Sequence, residues 1–311
     1  MSSTSTLRRT GGRADGRTAK AGLVACLVLS ALPPVRLSAQ GDVDRLALRL
    51  ASMTAVTGLE QAMADSLRVL LPGSVRDRAG NVTLTLGQGF PKRLCTCPLD
   101  EVGYVVGNIL PDGFLLLRRV GGAGRTASPL FDQQLEGHRV TVFGTRSAVP
   151  GVVGVKSTHL TRGRVGPGGG APDPVFTADN AYVDVGATSA AEVQSLGIAV
   201  LAPVSLAKRP QLYGERLLAA PAAGRRAACA ALAAAVAAKP KVKGTVVVAF
   251  TVQSLYASDA GLASVKALLG PFDDIKTAVL PARYADTAVE TVALADADRL
   301  VREIAQWMEG R

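Results

Sequence analysis

From Asp42 to Leu71 apolar residues recur at the three-and-four spacing of a buried helix face. The rhythm breaks around Thr57-Gly58, so the pattern predicts two helices with a bend between them. The period then falls to two. Val82–Leu86, Arg93–Cys97 and Val102–Ile109 read as strands, and Pro111-Asp112-Gly113 supplies turn chemistry for a hairpin into Phe114–Val120. From about Gly121 to Tyr213 short β-like runs are separated by Gly and Pro. The loop Arg162–Pro174 carries Gly-Pro-Gly-Gly-Gly at its centre, and only Ala190–Ser195 has helical spacing. Beyond Gly214 the alternation of helix and strand returns. An Ala-rich helix is expected at Arg225–Ala238, a strand at Thr245–Val252, a helix at Ala260–Leu268, a strand at Lys276–Leu280 and a last helix at Asp296–Glu309.

Thr245–Val252 is apolar without alternation, as a strand covered on both faces must be. The economical architecture is an α/β fold, a three-layer sheet domain of residues 41–120 and 214–311, interrupted by an inserted β-rich, barrel-like domain of residues 121–213.

Composition changes this picture little: 311 residues, 48% hydrophobic, suffice for one large or two modest cores. The net charge of +10 changes it more, once divided. Residues 1–40 hold six basic groups (Arg8, Arg9, Arg13, Arg17, Lys20, Arg36) against Asp15, so half of the excess lies there. The rest is a mildly basic surface with no Lys/Arg block interleaved with aromatics, and no nucleic-acid partner is expected.

Residues 1–40 have the three parts of a secretory signal: a basic stretch to Lys20, an apolar run Ala21–Leu32, and small residues at Leu37-Ser38-Ala39 before Gln40. The apolar run is too short for a bilayer of about 30 Å. A retained anchor or a chance apolar run are the alternatives. The expected mature chain starts at Gln40, is periplasmic or extracellular, and has no membrane partner after signal removal. It keeps Cys95, Cys97 and Cys229. Cys95 and Cys97 share one strand face and do not easily bridge each other. Three buried apolar thiols are expected. A Cys97–Cys229 bridge and a thiolate metal site are the alternatives.

Several strings together resemble the glutamyl and deblocking, tetrahedral-type aminopeptidases, metallopeptidase family forty-two. They are Asp77-Arg-Ala-Gly-Asn81, Leu99-Asp-Glu-Val-Gly-Tyr104, Pro150-Gly-Val-Val-Gly-Val-Lys156 with His159, Tyr182-Val-Asp-Val-Gly-Ala187, Arg226-Ala-Ala-Cys-Ala230, Phe250-Thr-Val-Gln253 and Pro281-Ala-Arg-Tyr284. The resemblance implies a sheet domain with an inserted domain used in homo-oligomer assembly. It also implies two divalent ions, such as zinc or cobalt, that polarise a peptide carbonyl and activate water beside a Glu general base.

At the positions that would carry this chemistry the chain departs from the pattern. Where the resemblance calls for a His ligand stands Pro98, followed by Asp100, whose implied role is to orient that His. The bridging Asp is Gly224. The general base and its neighbouring ligand are Ser254 and Leu255. The segment between Ser254 and Pro281 is short and offers no counterpart to the next Asp ligand, and the last His is Asp286. Gly, Pro and Leu have no side-chain donor, and Ser is a poor substitute for a carboxylate base. No cofactor is expected, and the chain reads as a non-catalytic relative with a binding or assembly role and a possible peptide ligand. The alternative is an active metalloaminopeptidase.

No other catalytic constellation appears. His138 and His159 lie outside any hydrolase motif, and Gly163–Gly170 lacks the Lys-Ser/Thr of a phosphate loop. Loss of two dications leaves the remaining carboxylates repelling one another. Arg225 and Arg226 are therefore candidates to supply positive charge to Asp100 or Asp286. Two solvated arginines at a helix start are the alternative.

Overall fold

A computed structural model describes residues 39–121, 129–155, 157, 159, 175–255 and 259–311. The expected signal up to Ser38, with Cys26, and the loop Arg162–Pro174 lie outside these residues. Residues 37–311 form one contact unit of their own.

The two predicted N-terminal helices are present. α1 (Ala39–Ala51) buries Val43, Ala47 and Leu50, and α2 (Gln61–Leu70) buries Met63, Ala64 and Leu67. Gly58, with φ +83°, makes the bend between them in a conformation that L side chains avoid. The chain continues through β1 (Val75–Arg76), β2 (Val82–Gly87) and β3 (Lys92–Pro98), then leaves for six strands: β4 (Gly103–Ile109), β5 (Leu115–Val120), β6 (Arg139–Phe143), β7 (Ala148–Val153), β8 (Tyr182–Asp184) and, after α3 (Ala190–Ser195), β9 (Pro203–Leu206). It returns through β10 (Gln211–Tyr213) and β11 (Leu217–Ala219) to α4 (Ala223–Ala237), β12 (Thr245–Thr251), α5 (Ala260–Leu269), β13 (Asp274–Thr277), β14 (Thr291–Ala293) and α6 (Leu294–Glu309).

The main sheet has the order β1-β2-β12-β3-β13, with β12 parallel to β3 and antiparallel to β2. As the unbroken apolar run demands, β12 is buried on both faces: Val246, Val248 and Phe250 face the helices α1, α4 and α6, while Val247 and Ala249 face α5. α4 is buried nearly all round, because its alanines let α1, α6 and the sheet approach closely. A small antiparallel sheet, β10-β11-β14, completes this part.

The six intervening strands close into an antiparallel barrel, β4-β5-β8-β7-β6-β9, around its own core of Tyr104, Val106, Leu117, Val142 and Val204. The expected boundary at Gly121 is corrected here. β4 and β5 belong to the barrel, because β4 pairs with β9 about a hundred residues later, a pairing without local signal. The insert therefore runs from Gly103 to Leu206. The predicted hairpin itself is present, closed by Gly113 N–H on Leu110 O. The strand expected at Lys276–Leu280 lies at Asp274–Thr277 instead.

The expectation of three free thiols is also corrected. Cys97 at the end of β3 is bridged to Cys229 of α4, with Cα atoms 5.5 Å apart, and among the described residues Cys95 alone is free, its thiol pushed up to about 12 by burial. The bridge joins strand to covering helix across 132 residues, a proximity set by packing. Cys229→Ser is expected to lower unfolding free energy by about 2–5 kcal/mol, measured by urea unfolding of the chain from Ala39. Thiol titration of the unfolded, unreduced protein should find one reactive cysteine.

Candidate functional site

Four segments converge where β3 and β12 end: Pro98–Glu101 after β3, Gln253–Leu255 after β12, the first turn of α4, and the stretch 281–290 between β13 and β14. Parallel pairing of β3 with β12 sets Pro98 opposite Thr251, and Leu99 N–H bonds Thr251 O at 2.7 Å. The disulfide ties the second turn of α4 to the end of β3, with Cys229 Sγ 3.4 Å from Pro98 O. All six positions singled out from the sequence (Pro98, Asp100, Gly224, Ser254, Leu255 and Asp286) thus lie on these four segments.

Asp100 is fully buried. Its Oδ1 accepts the Ser254 hydroxyl at 2.6 Å and the Arg225 guanidinium at 3.3 Å, and its Oδ2 accepts Leu255 N–H at 2.9 Å. Arg225 also donates to Ser254 Oγ at 2.6 Å, closing a three-membered ring of side chains. Of the two proposed counter-charges, Arg225 goes to Asp100 as expected. Arg226 goes to Asp100's neighbour Glu101, 2.9 Å from its Oε2, and donates to Leu99 O. The reading of two solvated arginines does not hold for these side chains, since Arg226 is buried and Arg225 half-buried.

Glu101 has a second cation that the sequence did not announce. Lys208, just past β9, places Nζ 2.5 Å from the same Oε2, and Ala55 N–H reaches Oε1 at 3.1 Å. Burial alone would raise this carboxyl; Lys208 and Arg226 beside it hold it below its ordinary value. Burial likewise draws the Lys208 ammonium down, with Glu101 opposing. Glu290, also missed, bonds Gly224 N–H at 2.7 Å and Asp286 N–H at 2.9 Å, capping α4 where its N-terminal dipole favours an anion. Glu60 accepts Gly58 N–H and Gln253 N–H, yet burial raises its pKa. Asp286 lies exposed at the mouth of a cavity of about 60 Å³ lined also by Arg225, Leu255, Glu101 and Glu290. His138 and His159 are on barrel segments remote in sequence from all of this, and His159 is exposed.

This donor set does not fit a pair of divalent ions. Pro98, Gly224 and Leu255 have nothing to donate, and Asp100 and Glu101 spend their oxygens on the chain's own cations and N–H groups. Among the described residues no group of three or more His, Cys, Asp or Glu side chains is placed to hold a metal ion. A Cβ at Gly224 would sit 3.1 Å from Glu290 Oε1, so a bridging carboxylate there would have to displace the Glu290 side chain from the start of α4.

Removing the anion from two buried cations is costly. Glu101→Gln is expected to destabilise the fold by about 3–5 kcal/mol, read from chemical unfolding at pH 7. In the parent chain the folded pKa lies below the unfolded one. Glu101's contribution is therefore complete above its ordinary carboxyl pKa and is lost as pH falls through the depressed folded value. The variant's stability should lose that part of the acid dependence.

The family model for M42 glutamyl aminopeptidase matches residues 80–254, more than half of the chain. SgcX of Escherichia coli is 32% identical over 198 residues, covering 61% of this chain and 50% of that protein. The lysyl aminopeptidase of Pyrococcus furiosus is 27% identical over 143 residues, 46% of this chain and 38% of that one. The chain thus spans about half the length of the curated relatives it matches. Among solved structures, the aminopeptidase APDkam598 from the archaeon Desulfurococcus kamchatkensis superposes with a TM-score of 0.71 at 19% identity, covering 88% of this chain and 96% of that one. The TET1 peptidase of Pyrococcus horikoshii gives 0.66 at 18% identity, over 86% and 99%. These structures share the fold. Together with the family match and the strings in family order, they make this chain a member of the M42 glutamyl aminopeptidase family.

Proposed function

We propose that the chain is a non-catalytic member of its family, exported, that uses the aminopeptidase scaffold for binding or assembly. The observation that carries this reading is the pairing of Asp100 with Arg225 and Ser254, and of Glu101 with Arg226 and Lys208, in a site whose implied ligand positions include Pro98, Gly224 and Leu255. Hydrolysis by the family route needs a Glu general base beside two ions. Here Ser254 occupies the base position and its hydroxyl is already given to Asp100. A peptide terminus is the ligand class that the small cavity between Arg225 and Asp286 suits, since the cavity offers a cation to a terminal carboxylate and an anion to a terminal ammonium.

Export is supported by the three-part N-terminus and by the Cys97–Cys229 bridge, since disulfides persist in oxidising compartments. Assembly of like copies is supported by the relatives: the Pyrococcus horikoshii TET1 peptidase can assemble into a tetrahedron or a large octahedral shell. The outward positions of β7, Ala148, Pro150 and Val152, are apolar and exposed, so the barrel offers a surface for it.

The test of the central claim is metal content by plasma mass spectrometry on the chain from Gln40 after incubation with zinc or cobalt, with leucine- and glutamate-peptide hydrolysis assayed alongside. Substoichiometric metal and no turnover are expected. Bound ions with cleavage would replace this reading by a working aminopeptidase. For assembly, light scattering after gel filtration should give a multiple of the chain mass, falling to a smaller species in Val152→Lys.

A further inference from the structure

At the end of the sheet opposite the site, the fold brings together two loops that are about 150 residues apart in sequence. The β2–β3 loop carries Phe90 at its tip, 87% exposed. Gly89 beside it faces open space, because a Cβ there would meet nothing within 4 Å. The α4–β12 loop is Lys239-Pro240-Lys241-Val242-Lys243-Gly244, with all three lysines exposed. The loops are fastened to each other: Thr245 donates its hydroxyl to Gly89 O at 2.8 Å and its N–H to Pro91 O at 3.0 Å. A side chain at Gly244 would collide with Pro91 O at 2.3 Å, so only Gly permits this approach.

Beneath them Arg93 fixes the base of the patch. Its guanidinium donates to Lys243 O at 2.8 Å and Met308 O at 2.9 Å, and it stacks 4.7 Å over the Trp307 ring. Lys92 and Arg311 add two further cations at this end. Three acids are also present, each already engaged: Asp273 by Lys92 N–H, Asp274 by the Trp307 indole, and Glu309 by Lys241 N–H and Arg311. Lys239, Lys241 and Lys243 are exposed, and Lys241 adds its charge beside Glu309, which Arg311 already pairs.

A fully presented aromatic on a convex tip, flanked by flexible point charges on a fixed base, is the chemistry of peripheral attachment to an anionic bilayer. The ring enters the headgroup boundary and the ammonium groups stay with the phosphates. Single-stranded nucleic acid would need successive exposed aromatic platforms, whereas Phe90 is the one well-exposed ring of this patch among the described residues, Trp307 and Phe272 being half-buried under Arg93 and Lys92. We propose that Phe90 with Lys239, Lys241 and Lys243 forms a docking surface for an anionic phospholipid membrane. No local signal in the sequence marks this patch, because Phe90 and the lysines are adjacent only in the folded chain.

The experiment is co-sedimentation of the chain from Ala39, which contains every described element, with vesicles of phosphatidylcholine containing 30% phosphatidylglycerol. Phosphatidylcholine vesicles and a thirty-nucleotide poly-dT are run as separate arms. Binding is expected to the anionic vesicles, not to the zwitterionic ones, and to weaken as salt rises. Each lysine is worth roughly fivefold. Lys239→Ser, Lys241→Ser and Lys243→Ser combined should therefore reduce binding by about two orders of magnitude. Phe90→Ser should reduce it at high salt, where the electrostatic part is screened. All four side chains are exposed, and an unchanged unfolding midpoint checks that the variants fold. Equal binding by parent and triple variant, no binding to anionic vesicles, or tighter lysine-dependent binding to poly-dT would each overturn the proposal.

Discussion

Glu101 stands where the chain crosses from the sheet into the barrel, and Lys208 stands where it crosses back. Their contact pins the outgoing and returning strands to each other, and Arg226 pins both to the first turn of α4. A carboxylate this deep is tolerable only with its cations, and cations this deep only with their carboxylate. The relation between the two parts of the molecule thus depends on one buried carboxylate shared by two cations. Thr54, bonded to Ser205 at 2.9 Å, adds a second tie across the same junction.

The same logic holds one residue earlier. Asp100 has been taken over by a serine hydroxyl, a backbone N–H and a guanidinium, which together satisfy a buried anion. The disulfide under this network presses α4 on β3, so the arginines are presented at the right height. Scaffold, covalent tie and counter-charge form one arrangement, and changing any member disturbs the others.

How much of this the sequence made legible depends on how local each feature is. The unbroken apolar run of β12 and the Pro-Asp-Gly turn of the β4–β5 hairpin are local, and both are present as read. The positions Pro98, Gly224, Ser254 and Leu255 were found through ordered strings, and Arg225 and Arg226 through their place beside one of them. Lys208 was invisible, being a single lysine after a short strand with no spacing to mark it, whose role exists only because β9 returns beside β4. Glu290 was missed for a similar reason, since its task is to accept the N–H of Gly224, 66 residues earlier, at the start of a helix. The assignment of β4 and β5 to the barrel and the Cys97–Cys229 bridge likewise rest on distant pairings that no periodicity encodes.

The close approach of Glu290 to Gly224 bears on how such a protein can change over generations. An aspartate returned to position 224 would arrive against a buried carboxylate, with Arg225 already committed to Asp100 and no donor at Pro98 or Leu255 to share an ion. A lone acid at position 224 would therefore add unpaired negative charge to a buried cluster, where an unpartnered carboxylate is costly.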